Sequence, residues 1–321
     1  MKARKIFSLL FITFFLLVTA CHNYSSPKLS NKISPALECR LIQHELGETC
    51  VPLKPQRIIA VDQIALEALV ALDLKPIAIP HPAFFASKAN LLKNKITGIE
   101  YVGKEPQINL EKILQLKPDL IVGVYGIDPE TYKLFSQIAP TAKVQHFQNN
   151  WQTPLRQIGK ITNKSEKVEE LITEYQQRVK TIRAELGNKL DTLEVSVSRF
   201  HGGVQLPEFN SQFSFPGSIV KAAGISMPIN QRQFIHTPDD ILVTLSLERI
   251  DLLDADVLFV AVDPGATDLF QKYQKTSLWQ TLNVVKKKKV YTVDSGYWVH
   301  GSVLSANAIL DDLAKYLLQT D

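Results

Sequence analysis

The strongest constraint on the fold is a motif that occurs once in each half of the chain. Residues 110–122 have the sequence Leu-Glu-Lys-Ile-Leu-Gln-Leu-Lys-Pro-Asp-Leu-Ile-Val, and residues 247–260 have the sequence Leu-Glu-Arg-Ile-Asp-Leu-Leu-Asp-Ala-Asp-Val-Leu-Phe-Val. Both begin with Leu-Glu, a basic residue and Ile, and in both an Asp follows the Glu by eight residues and precedes an apolar strand. A repeated motif of this kind predicts that the two halves have similar folds.

Short apolar runs alternate with helical patterns in both halves. Helical segments with apolar residues at a 3.6-residue period separate the runs. Strands that alternate with helices favour mostly parallel sheets covered by helices, so the predicted fold class is α/β. The predicted strands are residues 57–61, 75–79, 119–124, 193–197, 256–260 and 290–293.

A long helix is predicted between the two halves. Apolar residues from Val168 to Leu186 lie on one stripe of a helix, and the residues just before them are also helical. This segment has no strand of its own. We therefore expect an N-terminal lobe at residues 36–150 and a C-terminal lobe at 189–321, with a connecting helical segment at 151–188.

The N-terminus has the pattern of a secretory signal. Residues 1–20 begin with basic residues, continue with an apolar run and end with small residues before Cys21. The end of this run resembles the lipobox of bacterial lipoproteins, in which the cysteine is lipidated. The alternative is an ordinary signal peptide followed by a chance cysteine. The polar residues 21–35 are predicted to be a flexible tether, and the protein is expected to be extracytoplasmic and lipid-anchored.

Two further cysteines lie close together in the sequence. Cys39 and Cys50 flank a segment with the pattern of a strand, a turn at Gly47 and a returning strand. A hairpin brings its ends within bridging distance, and an oxidising compartment favours the bond. We expect a disulfide; the alternative is two free thiols.

Several classes of function lack support in the sequence. The formal charge of +4 includes three cations of the signal, so the mature part is near neutral and has no nucleic-acid signature. No serine elbow, phosphate loop or metalloprotease helix is present, and no catalytic residue is predicted. None of the seven histidines shows the His-x-x-x-His spacing of a bare metal site. No metal site and no cofactor are expected.

Four stretches together indicate a family. They are residues 39–61, 103–122, 138–141 and 279–298. The chain resembles the extracytoplasmic substrate-binding proteins of ABC importers for iron–siderophores, haem and cobalamin. The resemblance implies two α/β lobes joined by one rigid helix, with the ligand bound between them. It implies capture of a ferric siderophore and delivery to an ABC permease, not catalysis. The alternatives are haem or cobalamin as ligand, or a ligand-sensing lipoprotein without a permease.

The same resemblance gives the repeated glutamates a role. Glu111 and Glu248 would each dock on the permease, one from each lobe. The alternative is that an acidic residue early in a helix only stabilises the helix dipole.

The ligand is expected on loops that follow the carboxyl ends of the strands. Arginine suits an anionic chelate, aromatic rings bury its apolar parts, and histidines can contact a chelate or haem iron. For each candidate the alternative is a surface charge or a core aromatic. The predicted ligand-binding residues are Arg199, Trp298, Tyr125, Arg232, His201 and His300.

Overall fold

The computed structural model describes residues 38–82, 88–146, 149–203 and 206–318. The predicted signal peptide, the lipidation site Cys21 and the predicted tether at 21–35 lie outside the described residues.

An antiparallel hairpin opens the described chain. It consists of β1 (Cys39–His44) and β2 (Gly47–Pro52); the turn is formed by Glu45 and Leu46, just before the predicted position Gly47, which is the first residue of β2. The Cα atoms of Cys39 and Cys50 are 5.5 Å apart and the two residues form a disulfide. The predicted bridge is therefore confirmed. The hydroxyl of Thr49 donates a hydrogen bond of 2.8 Å to the carbonyl of Thr141, which fixes the hairpin against the first sheet.

The first half forms a six-stranded sheet with the order β6-β5-β4-β3-β7-β8. All neighbouring strands are parallel except the edge pair β5 and β6. The strands are β3 (Ile58–Ala60), β4 (Ala78–His81), β5 (Glu100–Lys104), β6 (Gln107–Ile108), β7 (Leu120–Gly123) and β8 (Thr141–Lys143). The helices are α1 (Gln63–Ala71), α2 (Ala89–Leu92), α3 (Leu110–Leu116) and α4 (Pro129–Ser136), and a 3₁₀ helix covers Lys93–Ile96.

Two helices lie in the predicted connecting segment. They are α5 (Gln152–Thr162) and α6 (Ser165–Leu186), and Asn163 separates them in a left-handed conformation with φ of 60°. Asparagine tolerates this conformation at a helix end, which explains the break. The long helix α6 has 22 residues and buries the apolar stripe that the sequence predicts.

The second half forms a five-stranded sheet with the order β11-β10-β9-β12-β13. Its strands β9, β12 and β13 are parallel, whereas β10 and β11 add an antiparallel edge. The strands are β9 (Val195–Phe200), β10 (Glu208–Asn210), β11 (Leu242–Thr244), β12 (Val257–Val262) and β13 (Val290–Asp294). The helices are α7 (Phe215–Ala222), α8 (Ile229–Arg232), α9 (Thr267–Gln274), α10 (Ser277–Thr281), α11 (Asn283–Lys286), α12 (Ser295–Trp298) and α13 (Val303–Leu317), with 3₁₀ helices at Gly187–Asp191 and Leu247–Leu253. The α/β fold class with mostly parallel sheets is confirmed.

Asp119 and Asp256, the aspartates of the repeated motif, make equivalent hydrogen bonds in the two halves. The carboxylate of Asp119 accepts backbone hydrogen bonds from Gln56 and Arg57 at 2.7 and 2.8 Å, just before β3. The carboxylate of Asp256 accepts a backbone hydrogen bond from Glu194 at 3.0 Å, just before β9. Each aspartate thus ties the start of its own strand to the start of the parallel neighbour. The repeated motif therefore reflects the same hydrogen-bonding arrangement at the start of the parallel strands in each half.

One apolar core runs through both halves. Buried residues of α1 and β3 belong to the same cluster as those of β9, α6 and α13. The C-terminal helix α13 packs against α1 of the first half and α7 of the second. The two sheets are therefore joined by side-chain packing as well as by the chain. In the described part of the chain, no helix is both long and apolar enough to cross a membrane.

Candidate functional site

The site in the first half begins at Asp62, two residues after the end of β3. One of its carboxylate oxygens accepts backbone hydrogen bonds from Ile64 and Ala65, both at 2.9 Å, which caps α1. The other accepts from the backbone of Val124 and Tyr125 at 2.6 and 3.0 Å. Burial raises the pKa of Asp62, and these four backbone bonds oppose the rise. Asp62 thereby fixes the loop after β7 against the start of α1.

Tyr125 lies on that loop, as predicted for a residue at the carboxyl end of a strand. Its hydroxyl is hydrogen-bonded to Nε2 of His146, and the two ring centroids are 4.4 Å apart. Burial and the nearby charge of Asp62 raise the pKa of Tyr125, so the phenol stays protonated at neutral pH. The pair presents one polar group from each of two neighbouring loops of the first half.

Arg199 lies near the carboxyl end of β9 and is almost fully buried. Its Nε and Nη2 atoms donate hydrogen bonds of 3.2 and 2.6 Å to a single oxygen of Asp263, and Glu208 lies 3.9 Å away. Burial raises the pKa of Glu208, whereas the charges of Arg199 and His201 lower it. The guanidinium is therefore balanced by carboxylates of the protein itself.

His201 follows β9 and is half-buried. Its Nδ1 lies 2.6 Å from the carbonyl oxygen of Gly202, a contact that suits the tautomer with a proton on Nδ1. The ring is thus held by the backbone of its own loop, on the same edge of the sheet as Arg199.

His300 lies on the segment between α12 and α13 and is 6% exposed. Burial lowers the pKa of His300 well below its ordinary value, and the charges of Lys88, Arg199 and His146 lower it further. His300 is therefore neutral at physiological pH. The carbonyl oxygen of His300 accepts a hydrogen bond of 2.7 Å from Nζ of Lys88 in the first half, and the side chain of Asn90 donates one of 3.3 Å to Asp294 at the end of β13. The strand ends of the two halves therefore meet at one shared site.

The structure corrects the prediction for Trp298. Its side chain is 1% exposed, and its ring stacks on Phe259 with a centroid distance of 4.8 Å. The indole N–H donates a hydrogen bond of 2.7 Å to Asp312 on α13. Trp298 belongs to the shared core, because the short helix α12 turns it away from the strand ends and under α13.

The structure also corrects the prediction for Arg232. Its Nη2 atom donates a hydrogen bond of 3.1 Å to Glu194, the residue before β9. Glu194 precedes Arg199 by five residues, which corresponds to about 16 Å along a strand. Arg232 thus lies at the amino-terminal edge of the second sheet, opposite the edge that carries Arg199, and the two arginines do not share a ligand.

The two repeated glutamates are exposed and sit at matching places. Glu111 is in the first turn of α3, after the N-cap residue Asn109. Glu248 is in the first turn of the 3₁₀ helix Leu247–Leu253. Hydrogen bonds from its own backbone N–H and from Ser246 lower the pKa of Glu248. Both carboxylates are available at the surface.

Sequence reasoning missed the buried pair Glu67 and Lys88, as well as His146. Glu67 and Lys88 are 3.0 Å apart and both are fully buried. A signal for Glu67 was present, because it is the one charged residue in the otherwise apolar or neutral helix Gln63–Ala71. Within the described ranges, no group of three or more His, Cys, Asp or Glu side chains could hold a metal ion.

Comparison with known proteins identifies the family. Residues 58–297 match the family model described as periplasmic binding protein. The chain belongs to this family. It is 31% identical to the probable siderophore-binding lipoprotein YfiY of Bacillus subtilis, over 99% of each chain. It is 28% identical to the achromobactin-binding periplasmic protein of Dickeya dadantii, over 81% of this chain and 86% of that protein.

A solved structure supports the same assignment. Staphylococcus aureus SirA, complexed with staphyloferrin B, is 26% identical and has a TM-score of 0.74; the match covers 87% of this chain and 98% of that one. The predicted family resemblance is confirmed, and the chain is a binding protein, not an enzyme. Relatives are named lipoproteins or periplasmic proteins, which confirms the predicted extracytoplasmic location.

Proposed function

We propose that this binding protein captures a ferric siderophore outside the plasma membrane and delivers it to the permease of an ABC importer. The observation that carries the proposal is the shared site between the two halves, where Lys88 hydrogen-bonds the carbonyl oxygen of His300 and Asn90 hydrogen-bonds Asp294. Relatives named for a siderophore, for ferric citrate and for achromobactin support the ligand class.

The chemistry of the site suits an iron chelate with exposed oxygen atoms. A ferric siderophore presents carboxylate, catecholate or hydroxamate oxygens around iron that it already coordinates. The protein then needs hydrogen-bond donors and apolar contact, not metal ligands of its own. The hydroxyl of Tyr125, the ring of His146 and the neutral ring of His300 supply hydrogen-bonding groups, with Arg199 and His201 on the adjoining strand end.

Two further features support delivery to an importer. Lipidation of Cys21 would hold it at a membrane surface without spanning the bilayer. Glu111 and Glu248 would dock on cationic residues of the permease, one carboxylate from each half. Their exposure and their matching places in the repeated motif support this role.

Binding spectra with several chelates test the ligand class. The mature chain without its lipid would be titrated with ferric staphyloferrin B, ferric citrate, ferrichrome, haemin and cyanocobalamin, with tryptophan fluorescence and visible difference spectra as the readouts. We expect saturable quenching by at least one ferric siderophore. Saturation by haemin or cyanocobalamin alone would assign the chain to the other ligands of this family.

A further inference from the structure

The interior holds an ion pair that the ligand site does not explain. Oε2 of Glu67, on α1, lies 3.0 Å from Nζ of Lys88, and neither side chain has any exposure to solvent. The backbone N–H of Lys88 donates a hydrogen bond of 3.1 Å to the side-chain oxygen of Gln63, also on α1. Both members of the pair are thus anchored in the first half of the chain.

The remaining hydrogen-bonding capacity of Lys88 is directed to the other half. Its Nζ donates to the carbonyl oxygens of Gly296 and His300 at 2.9 and 2.7 Å, and to the hydroxyl of Ser305 at 2.9 Å. These residues follow β13, the last strand of the second sheet. Lys88 therefore fixes the segment that contains His300 through the backbone carbonyl groups of that segment.

Glu67 binds the same segment through its other contacts. Its Oε1 accepts backbone hydrogen bonds from Ser302 and Ser305 at 2.9 and 2.7 Å, and its Oε2 accepts one from the Ser305 hydroxyl at 2.6 Å. A Cβ atom added at Gly301 would lie 2.9 Å from this carboxylate and 2.3 Å from the Ser305 hydroxyl. The glycine lets the backbone approach the pair closely.

We propose that Glu67 and Lys88 are positioning residues for the ligand site: together they hold residues 296–302, and with them His300, in place against the first half. This inference rests on the proposed function, since it gives His300 a place in that site. The pair does not contact the ligand. It acts through the backbone of the segment between α12 and α13.

A role in positioning explains why the pair is ionic. Burying two charges is costly, and a buried ion pair is often no more stabilising than apolar residues of similar size. Apolar side chains could fill the same space, but they could not bind two carbonyl groups and two backbone N–H groups of the second half. The ion pair therefore gives the segment a defined position, which apolar packing alone would specify only weakly because it is not directional.

The test replaces both charges while keeping their volume. In the double variant Glu67→Gln, Lys88→Met the glutamine still accepts from the backbone of Ser302 and Ser305, whereas the carbonyls of Gly296 and His300 lose their donor. We expect amide hydrogen exchange across residues 296–302 to rise by about tenfold, and thermal stability to fall because two buried carbonyl groups lose their donor. Affinity for ferric staphyloferrin B, or for whichever ferric chelate the wild type binds, should fall by about tenfold because the site is less preorganised.

A second variant and a matched control sharpen the result. Ser305→Ala removes one hydroxyl from the network but leaves the ion pair, so exchange and affinity should each change by about threefold. The exposed pair Lys167 and Glu170, 3.2 Å apart, provides the control Glu170→Gln, Lys167→Met, which should match the wild type in both readouts.

The outcomes separate this inference from the proposed function. Unchanged exchange across residues 296–302 in both test variants would overturn the positioning role, and so would faster exchange with unchanged affinity. If the double variant does not fold, Ser305→Ala decides by the same two readouts. If the wild type binds no ferric chelate, the proposed function fails, and His300 is then not positioned for a ligand even if the exchange result is as expected.

Discussion

The guanidinium of Arg199 donates two hydrogen bonds to one carboxylate oxygen of Asp263, at 3.2 and 2.6 Å. Both side chains are buried, at the carboxyl ends of the adjacent parallel strands β9 and β12. Arg199 therefore stabilises the second sheet at the edge where the ligand is proposed to bind, and its substitution affects folding as well as binding.

Arg199→Ala should lower the free energy of unfolding by about 3 kcal/mol, because it leaves Asp263 buried without its cation. Adding Asp263→Asn should restore part of the loss. Urea denaturation monitored by circular dichroism measures both changes. The control is Arg232→Ala: this side chain is half-exposed at the opposite edge of the sheet, so its effect on stability should stay within about 0.5 kcal/mol and ligand affinity should not change. Equal stability of the Arg199→Ala variant and the wild type would contradict a stabilising role for the buried pair of Arg199 and Asp263.

His300 should make the protein less stable in mild acid. Its pKa is lowered in the folded state, so below the ordinary value of 6.5 the unfolded chain binds a proton that the folded chain does not. Stability is therefore fully present above pH 6.5 and falls as the pH drops from there towards the folded pKa. For one proton the slope is at most about 1.4 kcal/mol per pH unit. His300→Gln should flatten the decline, as measured by urea denaturation at several pH values. An identical decline in both proteins would exclude His300 as its source.

Trp298→Phe should weaken folding but not ligand binding. The substitution removes the donor to Asp312 and part of the stacked ring, at a cost of about 2 kcal/mol. Because the side chain lies in the core, affinity for a ferric siderophore should stay within about threefold of the wild type. Chemical denaturation and a fluorescence titration give the two values. A large loss of affinity in a fully folded variant would show that Trp298 contributes to the ligand site after all.

Glu111→Ala with Glu248→Ala should separate binding from transport. Both carboxylates are exposed on the first turns of their helices, so the purified double variant should keep its ligand affinity within about threefold. Uptake of iron-55 siderophore by cells that carry the variant should fall sharply, because the permease loses one contact from each half. Normal uptake would favour a ligand-sensing lipoprotein that acts without a permease.

Local patterns were sufficient to predict most of the fold. The period of apolar residues gave the long helix α6 within a few residues of its start and at its observed end, Leu186. Most of the strands missed have only two or three residues, such as β6, β8 and β10, although the five-residue strand β5 was missed as well. Such strands bury few side chains of their own, so the sequence carries little periodic signal for them.

The site was harder to predict because its members depend on contacts distant in the sequence. Tyr125 and His300 lie on segments that follow strands. They could be predicted because ligands of parallel sheets bind at the carboxyl ends of the strands. The direction of a side chain on a short helix is set by tertiary packing, which is why Trp298 was misplaced. The pair Glu67 and Lys88 joins residues more than 200 positions away, at Gly296 and Ser305, and no local pattern reports that contact.

The central claim is that the two halves bind an iron-loaded siderophore between them. The most direct measurement is a calorimetric titration of the mature chain with one siderophore, for instance staphyloferrin B, with and without iron. The proposed function predicts a one-to-one complex with the ferric form at a Kd of about 1 μM or tighter, which corresponds to about 8 kcal/mol, and much weaker binding of the iron-free form. No heat of binding with any ferric siderophore, at protein concentrations well above that Kd, would contradict it.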